Sequence, residues 1–118
     1  MDRNPTIELR SAADLDRVLA DPSPVLLFKH STACPISGAA HREFEAWVGG
    51  APQGVRIARV LVIEARPVSN AIAERLGVRH ESPQAILVKD GKAAWTASHR
   101  AITRDALDRA TRADSAPR

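Results

Sequence analysis

Val25-Leu26-Leu27-Phe28 is an unbroken apolar run, and it constrains the fold more than any other segment. A strand with one wet face alternates apolar and polar residues. A run with no polar member reads as a central strand covered on both faces. The rest of the chain must then supply helices for two sides of a sheet.

The flanking patterns supply them. Residues 6–10 read as a short strand. Ser11 reads as an N-cap, with Asp14 three residues on approximating a capping box, and Leu15, Val18 and Leu19 give that helix an apolar face. Asp21-Pro22-Ser23-Pro24 ends it. A second helix begins at Pro35 and carries Ile36, Ala40, Phe44, Trp47 and Val48 on one face, so Trp47 reads as core. Gly49-Gly50-Ala51-Pro52 stops it. Residues 55–63, rich in Val and Ile, form a strand. Pro67 opens a helix bearing Val68, Ala71, Ile72 and Leu76, and Gly77 closes it. Residues 84–89 and 92–97 are strands joined by a tight Asp90-Gly91 turn. Thr103 caps a last helix bearing Ala106, Leu107 and Ala110. The order is β-α-β-α-β-α-β-β-α, an α/β chain with a central mixed sheet flanked by helices. A thioredoxin-like fold has this order, as one of several α/β candidates.

The 118 residues suit one domain spanning 1–118, with the stretch from about 111 to 118 expected to fray. Aromatics are only 3%, so Leu, Ile, Val and Ala must build most of the core. The single cysteine excludes an internal disulfide and points to a reducing compartment. Met1-Asp2-Arg3-Asn4-Pro5 lacks the pattern of a signal peptide, and no apolar run reaches membrane-spanning length. A cytoplasmic protein without a membrane partner is expected. The formal charge is +3 and the isoelectric point about 9.7. The arginines are scattered among acids, which argues against nucleic acid. A mildly basic surface suits a small anionic substrate or acidic client proteins.

Ser31-Thr32-Ala33-Cys34-Pro35-Ile36-Ser37 follows the buried strand and opens a helix. Proline favours the first helical position, which places Cys34 at the N-cap. There the unpaired N–H groups and the positive end of the helix dipole stabilise an anion, so thiolate character is predicted. Ser37, three residues on, is expected to donate its hydroxyl to the sulfur. A lone cysteine is ordinarily a small buried hydrophobe. The strand–turn–helix position and Pro35 favour a nucleophile instead. Glu81-Ser82-Pro83-Gln84 precedes a strand, where a cis proline would be a deliberate turn. Taken alone, the segment reads as a trans proline in a loop.

Cys34-Pro35-Ile36-Ser37, preceded by Phe28-Lys29-His30-Ser31-Thr32, resembles the active-site segment of the YtxJ-type bacillithiol system proteins, the monothiol bacilliredoxins. Arg79-His80-Glu81-Ser82-Pro83-Gln84, Asp90-Gly91-Lys92, Trp95 and Ser98-His99 extend the resemblance, which runs from about Ile7 to Leu107. It implies a thioredoxin-like fold with a cis Ser82–Pro83 bond facing Cys34. It also implies a substrate class, mixed disulfides between client proteins and bacillithiol, a small thiol built from cysteine, glucosamine and malate. Cys34 would take bacillithiol from a modified client. Ser37 stands where a dithiol enzyme keeps its second cysteine, so a second bacillithiol or another reductase must finish the cycle. Thr32, Ile36, Ser82 and Pro83 are expected to contact substrate, Ser82 through strand-like backbone pairing. No resident cofactor is expected, with bacillithiol acting as co-substrate.

Lys29 and His30 read equally as solvated strand-end residues or as cations favouring the thiolate. Ser31 occupies the place of the lysine common in dithiol glutaredoxins, so that role does not carry over. His41 reads as a surface residue facing away from the apolar stripe, and His80 and His99 as structural or surface histidines. The histidines and the cysteine lack metal-ligand spacing, so no metal is expected. Two other functions compete. An iron–sulfur carrier would share a lone cysteine followed three positions on by serine, but Pro35 replaces the glycine usual in such carriers. A redox-inert adaptor would bury Cys34.

Overall fold

The computed structural model describes residues 5–115. In chain order these form β1 (Thr6–Glu8), α1 (Ala12–Ala20), β2 (Val25–His30), α2 (Pro35–Val48), β3 (Arg56–Leu61), α3 (Arg66–Leu76), β4 (Gln84–Lys89) and β5 (Lys92–Ser98). A 3-10 turn (His99–Ala101) and α4 (Arg104–Ser115) complete the order. The strands make one mixed sheet in the order β1-β3-β2-β4-β5, so β2 is central. β3 runs parallel to both β1 and β2, while β4 runs antiparallel to β2 and β5. This is the α/β architecture that the pattern of runs predicts.

The burial of β2 follows from its alternation between two cores. Val25 and Leu27 point into a cluster covered by α1 and α3, with Leu15, Val18, Val68 and Ile72. Leu26 and Phe28 point into a second cluster covered by α2 and α4, with Ala40, Phe44, Trp47 and Leu107. The first core is wholly aliphatic. Phe28, Phe44 and Trp47, three of the chain's four aromatics, are buried in the second, with Trp95 packed at its margin. The scarcity of aromatics is thus confined to one side of the sheet.

Local signals set the element ends. Ser11 Oγ accepts from Asp14 N–H, and the Asp14 carboxylate accepts from the N–H groups of Ser11 and Arg10, a complete capping box. The Arg10 N–H, with help from Ser11 and Arg17, holds the Asp14 carboxyl below the usual carboxylate range. Gly77 closes α3 at φ 63°, and Asp90 and Gly91 both take positive φ in the β4–β5 turn. Thr103 Oγ1 accepts from Ala106 N–H at 3.1 Å and so caps α4.

The expected boundaries shift in three places. β1 stops at Glu8 and β3 spans Arg56–Leu61, with one further backbone bond beyond each, from Leu9 N–H to the Arg59 carbonyl and from Val62 N–H to the His30 carbonyl. α4 extends to Ser115. Within it the Thr111 side chain is buried and its Oγ1 donates to the Leu107 carbonyl at 2.7 Å. The expectations for residues 1–4 and 116–118 lie outside the described residues. Among those described, no helix is long and apolar enough to cross a membrane.

Candidate active site

The β2–β4 register pairs Lys29 with Gln84. Because these strands are antiparallel, the residues after β2 and those before β4 emerge at the same end of the sheet. The segment 31–34 and the loop 79–83 are therefore neighbours by topology. The Ser82–Pro83 peptide bond is cis, where the segment taken alone reads as trans. Pro83 is buried, and its carbonyl accepts from His99 N–H at 3.1 Å, which ties this loop to the end of β5.

Cys34 is the N-cap of α2, with extended backbone (φ −119°, ψ 123°) and Pro35 in the first turn. Its carbonyl accepts from Gly38 N–H at 3.0 Å, the first bond of the helix. The side chain is half-buried and makes no capping bond, so the sulfur lies at the mouth of a 14-residue helix without a hydrogen-bond partner among the described residues. Thr32, Pro35 and Ile36 are exposed around it.

Ser37 does something other than expected. Its side chain is fully buried, and its Oγ accepts from Ser31 N–H at 2.8 Å and pairs with His30 Nδ1 at 2.9 Å. These bonds fold the 31–34 segment onto the first turn of α2. The hydroxyl is committed to the loop rather than to the sulfur.

His30 and His41 are corrections to the sequence reading. His41 is half-buried, and its ring stacks on His30 with centroids 4.3 Å apart. Val48 lies seven residues beyond His41, so both sit on one margin of the apolar stripe, which makes the burial legible in retrospect. Arg59 Nη1 donates to His41 Nε2 at 2.8 Å, and Arg59 also pairs with Glu8 at 2.6 Å. A guanidinium has no acceptor, so His41 Nε2 carries the lone pair and the ring is neutral. Burial, opposed by Glu45, pushes His41 below the ordinary histidine range. Burial, with His41 and Arg59 adding to it, does the same for His30.

Lys29 is buried, not a solvated strand end. Alternation along β2 sends it to the face opposite His30, where its Nζ meets His80 Nδ1 at 2.9 Å. A charge at the end of an apolar run gave no sign of this. Burial pushes its ammonium down to about 8, with Glu81 opposing the shift. Burial, followed by the Lys29 and Arg66 charges, lowers His80 as well. The unfolded chain holds the Lys29 proton up to its ordinary value of 10.5. Between about pH 8 and 10.5 the unfolded chain therefore binds more protons, and stability contributed by this group rises with pH. Lys29→Met removes that titration. Urea unfolding at about pH 7 and about pH 10.5 should show the unsubstituted chain gaining on the variant at the higher pH. A gap independent of pH would mean that the ammonium is solvated.

The remaining predicted positions divide. Ser82 Oγ is buried without a hydrogen-bond partner, so any substrate contact by Ser82 falls to its backbone. His80 and His99 are exposed, and His99 Nε2 lies 3.7 Å from Glu81. Trp47 is core. Among the described residues no group of three or more His, Cys, Asp or Glu is arranged to hold a metal ion.

A family model described as the monothiol bacilliredoxin BrxC matches residues 7–107. A solved candidate oxidoreductase with a thioredoxin fold is 30% identical, covering 89% of this chain and 92% of its own, with a TM-score of 0.80. Two thioredoxins are similar in fold alone. That of Malassezia sympodialis is 21% identical, covers 98% and 96% of the two chains and has a TM-score of 0.77. That of Trypanosoma brucei brucei is 14% identical with the same coverage and TM-score.

Proposed function

The chain belongs to the monothiol bacilliredoxin family, with a thioredoxin fold and a one-cysteine redox site, and from that membership we propose that Cys34 removes bacillithiol from client proteins. The Cys34 thiolate attacks the bacillithiol sulfur of a client mixed disulfide. A Cys34–bacillithiol disulfide forms, the client–bacillithiol bond breaks, and the client leaves as a thiolate that takes a proton from water. A second thiol, bacillithiol or a reductase, then attacks the bacillithiol sulfur on Cys34. Cys34 departs as thiolate, and the electrons of the incoming thiol have reduced the client.

One observation carries this reading. The sulfur is half-exposed at a helix N-terminus with no hydrogen-bond partner among the described residues, while the residue in the resolving position, Ser37, is buried and bonded to His30 and Ser31. The site can accept one small thiol and cannot expel it internally. The Ser82 backbone beside the cis-proline is the element offered to an extended client segment. Such a cycle needs a compartment that keeps small thiols reduced, and the cytoplasm is one.

Intact-mass spectrometry tests the proposal. Reduced protein is mixed with a bacillithiol-modified client and, separately, with a glutathione-modified one. Bacillithiol should appear on Cys34 with release of reduced client, and transfer from the glutathione control should be slower. Equal transfer from both would keep the exchange chemistry and remove bacillithiol as its specific substrate.

A further inference from the structure

A cleft of about 450 Å³ begins at Pro35, the residue that follows the reactive cysteine in the chain. One wall is the first turns of α2, from Pro35 and Ile36 to Arg42 and Glu43. The other is the segment around His99 and Arg100 that leads into α4. Both walls are tied to the active-site segments through the backbone. Pro35 follows Cys34 in the chain, and His99 N–H is bonded to the carbonyl of the cis-proline Pro83. His99 holds this wall with a positive φ of 55°, an uncommon conformation for a residue with a side chain.

The charged groups of the lining are net positive, two guanidiniums against one carboxylate. Arg42 and Arg100 are exposed, and among the described residues neither side chain has an ion-pair or hydrogen-bond partner. Glu43, the acid of the lining, is already engaged: its Oε1 accepts from Arg104 N–H at 2.7 Å and so serves the start of α4. Thr103 Oγ1 is likewise spent on Ala106 N–H. The two guanidiniums outnumber that carboxylate over an apolar floor that includes Ile36, itself exposed. Guanidinium forks match carboxylates in geometry and charge. The volume suits a small molecule rather than a protein segment.

We propose that this cleft seats the carboxylate-bearing portion of the small-thiol substrate, with Arg42 and Arg100 pairing with its carboxylates and its sulfur reaching Cys34 past Ile36. The assignment rests on the reading of Cys34 as a bacillithiol-exchanging thiol and adds where that molecule lies. The arginines hold the substrate and take no part in the sulfur chemistry. Because both are solvent-exposed, their attraction weakens as salt rises.

The test compares the unsubstituted chain with Arg42→Gln/Arg100→Gln in single-turnover exchange. One substrate is bacillithiol disulfide; the other is the uncharged hydroxyethyl disulfide. Iodoacetamide alkylation of Cys34 serves as a neutral probe of the thiolate. The double variant should react about tenfold or more slowly with bacillithiol disulfide, with rates on the two neutral reagents within about twofold of the parent. Added salt should narrow the difference. Equal loss on all three reagents would overturn the cleft assignment, since the arginines would then act on the thiolate or the fold. Unchanged exchange with bacillithiol disulfide would overturn it as well. If the parent reacts with the neutral reagents but not with bacillithiol disulfide, the functional reading itself falls, and the occupant with it.

Discussion

Cys34→Ser should reduce thiol transfer to background while leaving the fold as stable as before or slightly more so. The loss follows from chemistry. Serine stays protonated in the working pH range, and an oxygen cannot form the disulfide on which the cycle depends. The stability forecast follows from the structure. Cys34 is half-exposed and makes no side-chain cap to α2. Serine is among the best N-cap residues, and its hydroxyl would accept from one of the N–H groups at the start of α2. The gain is up to about 1 kcal/mol. Mass spectrometry and urea unfolding on one preparation check both halves. Residual transfer well above background would mean that another group carries the reaction. A large drop in stability would mean that the sulfur has a packing role that its exposure does not reveal.

The second large effect is on the fold. Phe44→Ala should cost about 3–5 kcal/mol, a major share of the 5–15 kcal/mol by which a domain of this size is ordinarily stable. Phe44 is fully buried. Its ring lies on Phe28 with centroids 4.5 Å apart and planes 12° apart, and Trp47 follows at 6.2 Å. Alanine would leave a cavity between α2 and β2, the two elements that meet at Cys34. The denaturation midpoint should fall with little change in slope. Phe44→Leu, which refills most of the space, should recover much of the loss. A cost below about 1 kcal/mol for Phe44→Ala would mean that the surroundings collapse into the gap.

The fold was legible because few arrangements satisfy a strand buried on both faces, four helices with apolar stripes and a tight Asp90-Gly91 turn. Cys34 was legible because Pro35 marks a helix start, which fixes the register of its neighbours. Other features resisted for definite reasons. Lys29 continues an apolar run, and composition assigns a lysine to water. Its burial depends on His80, fifty-one residues away. The role of Ser37 depends on the turn taken by residues 31–34, which local spacing does not determine. The Arg59 contacts with His41 and Glu8 join α2, β3 and β1, contacts that only the folded sheet order creates. Arg42 and Arg100 looked like two of many scattered charges until α2 and the segment after β5 were brought together.

The placement of those two arginines has a consequence for how such a protein can diversify. The reacting sulfur is mounted on β2 and α2, whose side chains fill both cores, so its geometry is inherited with the fold itself. The cleft is read by side chains that lie on the surface and support nothing beneath them. Changes at Arg42 or Arg100 can therefore accumulate without a toll on folding, and descendants of one reaction centre are free to drift toward small thiols of different charge. Selection for a new cellular thiol would act first on this outer pair and last on the strand behind it.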